Sequence, residues 1–189
     1  MKLKENILIL GASGFIGNVL YKELLPYYKV FGTYCEQQGL YEDNQVFHRF
    51  KMEKDDILPI LKEVQPTIII SALRGDFKEQ FHLHKTIAKY IKECHHCRLL
   101  FCSSASVFDA ATHLPAYEKD RPMAQSEYGK FKYSVEKLLR EHIPTQHVIL
   151  RLPTVLGINA PAVVQLRQAM KHQAAFESYP NKIITVTTA

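Results

Sequence analysis

Short apolar runs alternate with longer helical stretches from one end of this chain to the other. That alternation is typical of βαβ units, in which a helix crosses over between two parallel strands. The run from Thr67 to Ala72 is almost uninterrupted, as expected for a strand that is buried on both faces of a sheet. The sequence therefore predicts an α/β fold, a doubly wound parallel sheet with helices on both faces.

Periodicity and turn residues place the elements. With 189 residues and no repeat, low-complexity segment or linker, we expect a single domain over residues 1–189. The predicted strands cover residues 7–10, 29–34, 46–50, 67–72, 99–104, 147–152 and 183–187, and the predicted helices cover residues 15–25, 55–64, 78–93, 126–142 and 162–173.

Composition excludes several classes of protein. Hydrophobic residues make up 47% and charged residues 23%, which argues against a disordered, collagen-like or coiled-coil chain. The net charge is +5, but the basic residues are scattered, so we expect no nucleic-acid partner. No apolar run approaches the ~20 residues of a membrane span, and the N-terminal apolar run is too short for a signal peptide. Four scattered cysteines fit a reducing compartment, so the prediction is a cytoplasmic protein without a membrane partner.

A glycine-spaced turn follows the first predicted strand and opens the first predicted helix. Gly11 would allow the tight turn, Gly14 would let a pyrophosphate approach the backbone, and Gly17 would let the helix pack closely on the strand. The N–H groups and partial positive charge of a helix N-terminus favour an anion at this place. A glycine turn without a ligand is the alternative, but strand, turn and helix in this order favour dinucleotide binding.

Tyr128 and Lys132 lie four residues apart near the start of a predicted helix and therefore project from the same face. A lysine charge beside a tyrosine stabilises phenolate and so lowers the tyrosine pKa. Tyr128 would then serve as a general acid for a carbonyl that becomes an alcohol, or as a base in reverse. Such pairs also occur on exposed helix faces, which is the alternative.

A buried strand that ends in hydroxyl side chains precedes this helix. Ser103 and Ser104 would lie at the carboxyl end of the strand, which is where open parallel sheets bind ligands. Either hydroxyl could orient a reacting oxygen. Capping of the strand end is the alternative for both.

These segments, in this order, resemble the extended short-chain dehydrogenase/reductase family of nucleotide-sugar epimerases, dehydratases and reductases. The spacing Gly-x-x-Gly-x-x-Gly is similar to the family's, and residues 127–132 look like its Tyr-Gly-x-Ser-Lys segment, with Phe131 where a small residue is usual. Residues 149–157 resemble the segment Leu-Arg-x-x-x-Val-Tyr-Gly. The acidic, proline-containing loop before the tyrosine also matches, through Glu118, Asp120 and Pro122.

The resemblance implies a Rossmann-type sheet and assigns roles to the candidates. It implies Ser104, Tyr128 and Lys132 as catalytic residues, with Ser104 orienting the oxygen, Tyr128 exchanging the proton and Lys132 holding the nicotinamide ribose. No metal site is implied. It implies NADP or NAD as the cofactor, and Lys51 near the adenine position favours NADP slightly. The residues implied to bind it are Gly11, Ser13, Gly14, Phe15, Ile16, Gly17, Thr33, Ser71, Ala72, Ser103, Lys132 and Pro153.

The function implied by the resemblance is that of an NAD(P)-dependent oxidoreductase acting on a sugar or nucleotide sugar, similar to dTDP-4-dehydrorhamnose reductases. A nucleotide-sugar epimerase or dehydratase is the second reading, and a non-catalytic NAD(P)-binding regulatory module is the third. Family members continue beyond the segment matching residues 183–187, so most of the substrate lobe is expected to be absent. A truncated chain, a partner subunit and a smaller substrate are the three explanations, and a homo-oligomer stays open.

The segment Cys94-His95-His96-Cys97 invites a metal or redox interpretation. All four side chains would have to converge from adjacent positions, and no second pair accompanies them. A solvated helix C-terminus is therefore preferred, where histidines also suit the helix dipole.

Overall fold

The computed structural model describes residues 5–36, 41, 44–112, 115–175 and 186–188. Within these ranges lie eight strands, five α-helices and one short 3-10 helix, Ala105–Phe108. The strands are β1 (Asn6–Leu10), β2 (Lys29–Tyr34), β3 (Phe47–Arg49), β4 (Ile68–Ser71), β5 (Arg98–Ser104), β6 (His147–Leu152), β7 (Thr154–Leu156) and β8 (Val186–Thr188), and the helices are α1 (Phe15–Leu24), α2 (Leu58–Val64), α3 (Phe77–Cys94), α4 (Glu127–His142) and α5 (Pro161–Lys171).

Six strands form one parallel sheet in the order β3-β2-β1-β4-β5-β6. β1 pairs with β2 on one side and with β4 on the other, so the direction of winding reverses between β1 and β4. Ligands of open α/β sheets bind in the crevice outside the carboxyl ends of the strands at such a switch point. In this sheet Leu10 of β1 is in register with Ser71 of β4, which places the glycine turn beside the end of β4.

Helices cover both faces of the sheet, as the sequence predicts. Alternate residues of a strand point to opposite faces. Leu8 and Leu10 belong to the core cluster that α2, α3 and α4 help to form, whereas Ile7 and Ile9 belong to the cluster on the α1 side. All four are buried, and burying one such side chain contributes about 1.5 to 3 kcal/mol. The apolar runs of the central strands are therefore the reason for the doubly wound arrangement.

The start of α2 differs from the prediction. The sequence pattern predicts a helix from residue 55, but α2 begins at Leu58. The carboxylate of Asp55 accepts a hydrogen bond from Lys51 N at 2.7 Å, and that of Asp56 accepts one from Leu58 N at 3.0 Å. Aspartate bonds to nearby N–H groups in this way before a helix better than inside it.

The last part of the described chain departs most from the prediction. β7 was not predicted, and it forms a separate two-stranded parallel sheet with β8. The predicted strand 183–187 overlaps β8 at residues 186 and 187, while residues 183–185 lie outside the described residues. α5 contributes no buried residue, and it ends before the predicted position because Gln173 has a φ of 51°. No helix in the described part of the chain is long and apolar enough to cross a membrane.

Candidate active site

The glycine turn between β1 and α1 depends on missing side chains. Gly11 has a φ of 79°, a conformation that favours glycine, and a Cβ there would lie 2.9 Å from Ala72 O. A Cβ on Gly17 would lie 2.1 Å from Gly11 O, so α1 starts this close to the turn only with glycine at this position. The roles that the sequence suggests for Gly11 and Gly17 are thus visible in the backbone.

The N-terminus of α1 is suited to an anion. Its N-cap residue is Gly14, and no side chain caps the first turn with a hydrogen bond. Backbone N–H groups of a first turn without a capping side chain, together with the helix dipole, bind phosphate oxygens. The residues present therefore fit a dinucleotide pyrophosphate at Gly14, Phe15 and Ile16.

Two of the predicted cofactor-binding hydroxyls are buried and form hydrogen bonds within the protein beside this crevice. Thr33 is buried, and its Oγ1 accepts a hydrogen bond from Gly11 N at 2.9 Å. Ser71 is also buried, with its Oγ 2.9 Å from Nε2 of His84. Nδ1 of His84 lies 2.6 Å from the Gln80 carbonyl oxygen, which only accepts, so Nδ1 donates there and Nε2 accepts from Ser71. Burial lowers the pKa of His84 to about 4, which keeps this ring neutral.

The start of α4 is fixed by a capping network and by a glycine. Ser126 is the N-cap, and its Oγ accepts from Gly129 N at 3.0 Å while it donates to the Asp109 carboxylate. The same carboxylate accepts from Gln125 N at 2.6 Å. A Cβ on Gly129 would lie 2.3 Å from Ser106 O, so α4 meets the 3-10 helix this closely only because residue 129 is glycine. These contacts set the positions of the residues on the first two turns of α4.

Lys132 lies in a buried cage of rings beneath the site. Only 5% of the residue is exposed, and Nζ donates to Cys102 O at 2.9 Å. Nζ also lies 4.7 Å from the ring centroid of Phe101, 5.5 Å from that of Phe131 and 5.6 Å from that of Tyr128. Burial lowers the pKa of Lys132 to about 8. The aromatic faces offset part of the cost of keeping a cation there.

Phe131, the departure from the family pattern, has a partner in the fold. Its ring stacks on that of Phe77 with centroids 4.8 Å apart and planes 5° apart. Phe77 also lies 6.0 Å from the Tyr128 ring, centroid to centroid. The larger side chain is therefore accommodated between α3 and α4 as an aromatic cluster.

Tyr128 is 41% exposed and faces the crevice. Partial burial raises the pKa of its hydroxyl, and a hydrogen bond with Ser104 and the charge of Arg74 lower it only in part. The prediction that Lys132 lowers the Tyr128 pKa is wrong in this structure. The reason is that the Lys132 ammonium lies against the face of the ring and bonds to the Cys102 carbonyl.

The two hydroxyls at the end of β5 have different surroundings. Ser103 is 3% exposed, and its Oγ donates to the Glu136 carboxylate at 2.7 Å, which uses its only proton. Ser104 is half-buried, and its Oγ accepts from Ser106 N and donates to Ser106 Oγ, both at 3.1 Å. It also hydrogen-bonds with the Tyr128 hydroxyl, which lowers the pKa of that hydroxyl. Of the two hydroxyls, Ser104 is therefore the one that contacts Tyr128.

A cavity of about 220 Å³ joins the glycine turn to the start of α4. All three predicted catalytic residues line it, as do six of the predicted cofactor residues besides Lys132. Gly11, Ser13, Gly17, Thr33 and Ser71 do not line it. The lining residues are Gly14, Phe15, Ile16, Ala72, Leu73, Arg74, Cys102, Ser103, Ser104, Tyr128, Lys132, Leu152, Pro153, Val155 and Pro161.

Sequence reasoning missed several residues of this region. His84 and Glu136 are buried polar residues on helices, and nothing in their spacing marks them as partners of Ser71 and Ser103. Arg74 is exposed, and it also lines the cavity. A signal for Glu136 exists in its position, since it lies one helical turn after Lys132 on the same face.

The segment from Cys94 to Cys97 does not line the cavity, and its surroundings do not favour metal ligation. His95 and His96 are exposed, whereas Cys97 is buried, and burial raises the pKa of its thiol to about 12. Metal ligation needs the thiolate. In the parts of the chain that the structure describes, no three His, Cys, Asp or Glu side chains are grouped so as to hold a metal.

Comparison with known proteins agrees with the geometry. The sequence profile of the NAD dependent epimerase/dehydratase family matches residues 7–175, which include the glycine turn and the whole of α4. The chain belongs to the NAD dependent epimerase/dehydratase family. This confirms the resemblance given by the sequence motifs. No curated protein sequence gives a significant match.

Solved structures share the fold of this NAD dependent epimerase/dehydratase family member at low identity. The UDP-N-acetylglucosamine 4-epimerase of Methanobrevibacter ruminantium M1 has a TM-score of 0.77 at 18% identity, over 98% of this chain and 69% of that one. The enzyme WbmG of Bordetella bronchiseptica, in complex with NAD, has 0.74 at 15%, over 100% and 73%. The dTDP-glucose 4,6-dehydratase of Bacillus anthracis, also with NAD, has 0.71 at 15%, over 89% and 62%. The chain thus covers 62% to 73% of these three proteins.

Proposed function

We propose that this protein is a nicotinamide-dependent enzyme that acts on a hydroxyl or carbonyl group of a sugar or nucleotide sugar. The observation that carries the proposal is that Ser104, Tyr128 and Lys132 line one cavity with the start of α1. A proton-exchanging group, a hydroxyl that orients an oxygen and an anion-binding helix terminus at one cavity are the parts that such chemistry needs.

Each residue has a role that its surroundings support. The nicotinamide, when bound, supplies the position that accepts and returns a hydride. Tyr128 exchanges a proton with the substrate oxygen at its phenolic oxygen, and Ser104 hydrogen-bonds the same oxygen. Lys132 uses one N–H on Cys102 O, so two others remain for the ribose of the cofactor. The raised Tyr128 pKa keeps its hydroxyl protonated in the protein without cofactor, which suits a general acid. When Tyr128 acts as a base, the positive charge of an oxidised nicotinamide would lower this pKa.

Among the reactions of this class, epimerisation or dehydration of a nucleotide sugar has more support than reduction. The family profile and two of the three neighbours described above carry the names of epimerases and dehydratases. An epimerase returns the hydride to its substrate and uses cofactor catalytically, whereas a reductase consumes one reduced cofactor for each product.

The choice between NADP and NAD depends on the ends of β2 and β3. Lys51 lies there, with Nζ 3.5 Å from the Glu36 carboxylate, and a cavity of about 360 Å³ is lined by Arg49, Lys51, Lys54 and Asp55. Three basic side chains favour a 2′-phosphate, while Glu36 competes for Lys51 and favours a ribose hydroxyl. We propose that the protein binds NADP with a modest preference over NAD. The neighbours WbmG and the Bacillus anthracis dehydratase, by contrast, are NAD complexes.

The test is cofactor binding followed by turnover. Thermal shift with NAD, NADH, NADP and NADPH should show stabilisation by at least the reduced forms. A panel of UDP- and dTDP-sugars is then incubated with the bound cofactor, and the products are separated by chromatography. Tyr128→Phe, which removes the proton-exchanging oxygen, should lower kcat at least a hundredfold and leave the melting temperature within about 2 °C.

The results separate the competing functions. A changed sugar with no net oxidation of cofactor indicates epimerisation or dehydration, and stoichiometric loss of NADPH indicates a reductase. Cofactor binding with no turnover of any sugar in the panel would favour a non-catalytic NAD(P)-binding module. In that case Tyr128→Phe should also leave the biological effect of the protein intact. No thermal shift with any cofactor would contradict the proposal altogether.

A further inference from the structure

Glu136 is a fully buried carboxylate on α4. Among the described residues it is the only acidic side chain that is buried. It lies one helical turn after Lys132 and two turns after Tyr128, so the three residues share one face of the helix. A buried carboxylate is costly unless hydrogen bonds and opposite charges surround it.

Four hydrogen bonds surround this carboxylate. Oε1 accepts from Ser103 Oγ at 2.7 Å and from Arg151 Nε at 3.1 Å. Oε2 accepts from Arg151 Nη2 at 2.8 Å and from Arg140 Nη2 at 3.2 Å. Arg151 therefore binds the carboxylate through two donors, Nε and Nη2, and this bidentate geometry fixes the orientation of the carboxylate.

The bonds tie two consecutive residues of β5 to two consecutive turns of α4. Cys102 O accepts from Lys132 Nζ at 2.9 Å, and Ser103 Oγ donates to Glu136. The next residue, Ser104, bonds to the Tyr128 hydroxyl. Residues on either side of Ser103 thus hold the two side chains to which the proposed function gives a chemical role.

The same carboxylate reaches the neighbouring strand and the loop before α4. Arg151 on β6 is in register with Ser103 on β5, so Glu136 bridges two adjacent strands. Nη1 of Arg151 donates to Glu118 O at 3.0 Å, and the guanidinium lies 4.8 Å from the ring centroid of Phe108. Glu136 and its partner Arg151 together therefore join α4 to β5, β6, the 3-10 helix and the loop.

Stability alone does not require this arrangement. The desolvation of a buried ion pair offsets its Coulomb attraction, and apolar residues of similar volume often serve as well. A bidentate ion pair adds a defined orientation of the groups that it joins. Here those groups are the end of β5 and the face of α4 that carries Lys132 and Tyr128.

We propose that Glu136 is a positioning residue that holds Ser103 and, through it, the alignment of Cys102 with Lys132 and of Ser104 with Tyr128. The inference rests on the proposed function for the roles of Tyr128 and Lys132. It predicts that Glu136 affects the cofactor and the chemical step without touching either. Ser103 is the link through which it acts.

The test is a double-mutant cycle of Glu136→Gln and Ser103→Ala in the full chain. Gln keeps an acceptor for Ser103 but loses the charge that orients it with Arg151, and Ala removes the link. Each change should raise the dissociation constant for NADH or NADPH, measured by nicotinamide fluorescence, about fivefold, and lower kcat about tenfold or more at an unchanged substrate KM. The double variant should show a dissociation constant and a kcat no more impaired than those of the more impaired single variant, because both changes act through one contact. Ser103→Thr, which keeps the hydroxyl, should restore both constants.

Two matched controls separate positioning from loss of stability. Arg140→Ala removes the partly exposed guanidinium that donates to Oε2, and it leaves in place the groups that bond Glu136 to Ser103 and Arg151. Leu139→Ala removes a fully buried side chain on the same helix without touching the carboxylate. Both should lower the melting temperature while the cofactor dissociation constant and kcat stay within about twofold of wild type.

Three outcomes would overturn the inference. One is a Glu136→Gln variant that loses melting temperature as Leu139→Ala does but keeps the wild-type dissociation constant and kcat. Another is additivity of the two changes, which would show that Glu136 does not act through Ser103. The third is a wild-type protein that binds no nicotinamide cofactor, which would overturn the proposed function as well. If cofactor binds but no sugar turns over, only the proposed function fails, and the dissociation constants of the cycle decide the role of Glu136.

Discussion

The two ends of the crevice differ in what chiefly sets their geometry. At the glycine turn, close approach of β1, β4 and α1 depends on the absence of side chains at Gly11 and Gly17. At the start of α4, the geometry depends on specific polar side chains that bond across the fold, chiefly Lys132 and Glu136. The first end is sensitive to atoms added at Gly11 and Gly17, whereas the second depends on which polar partners are present.

The difference teaches how each end responds to change. A backbone turn is a local structure, so an added methyl group there collides with main-chain atoms that have nowhere to move. A buried polar network joins residues that lie far apart in the chain. Its members differ in their effect on the stability of the folded state and in their contribution to the geometry of the site. Substitutions at the two ends should therefore affect stability and function in different proportions.

Gly17→Ala should have the largest effect on stability. The new Cβ would lie 2.1 Å from Gly11 O and 2.8 Å from the Ala12 Cα, both backbone atoms, so the turn or α1 must shift. We expect a loss of about 3 kcal/mol or more in the free energy of unfolding, measured by urea denaturation, because overpacking against main chain cannot be relieved by a rotamer change.

Gly14→Ala is the matched control for this prediction. At this position a Cβ would meet only Gly11 O, at 3.2 Å, and the φ of −77° suits any residue. Its loss of stability should be about 1 kcal/mol or less. Equal losses for Gly14→Ala and Gly17→Ala would show that close packing is not what Gly17 provides.

Lys132→Met should show the opposite balance, a large loss of function with a gain in stability at neutral pH. Burial lowers the Lys132 pKa from 10.5 to about 8, so between pH 8 and 10.5 the unfolded chain binds more protons than the folded one. Stability therefore rises with pH in this window, and below it the buried ammonium costs about 3 kcal/mol. Without added cofactor, the difference in unfolding free energy between Lys132→Met and wild type should be largest near pH 7 and shrink towards pH 10.5.

Urea denaturation of both proteins at several pH values between 7 and 10.5 measures this difference, and the other titrating groups cancel in it. The sugar-nucleotide assay should show that the methionine variant has lost turnover. A difference that does not change with pH would contradict the assignment of the depressed pKa to Lys132.

Thr33→Val should have the smallest effect, because it removes the side-chain hydrogen bond that holds the turn at Gly11. The Gly11 N–H would lose its acceptor at 2.9 Å, which costs about 1 kcal/mol for a partly buried donor. Thr33→Ser keeps the hydroxyl and serves as the control. If Thr33→Val and Thr33→Ser unfold at the same urea concentration, then the glycine turn does not depend on this bond.

The sequence predicted the sheet and most of the crevice because their signals are local. A buried parallel strand is a continuous apolar run, and a glycine turn is marked by the spacing of Gly11, Gly14 and Gly17. The same holds for Tyr128 and Lys132, whose separation places them on one helix face. Element ends were less predictable, since Asp55 and Asp56 bond to nearby N–H groups and delay the start of α2.

The partners of the site could not be predicted, because they lie far apart in the chain. Ser71 and His84 are joined only when α3 packs on β4, and Ser103 meets Glu136 only when α4 packs on β5. The sequence alone therefore left the choice between Ser103 and Ser104 open. So did the Tyr128 pKa, which burial raises although the neighbouring lysine suggests the reverse.

The sequence by itself determined the fold class, the dinucleotide-binding type of the turn and the identity of the candidate Tyr and Lys. These follow from periodicity and from residue spacing within single elements. Tertiary structure alone decided which of the two serine hydroxyls bonds to Glu136, how Lys132 is buried and that Glu136 joins two strands to α4. The physical reason is that hydrogen bonding and desolvation depend on neighbours brought together by folding, and a single sequence does not state those neighbours.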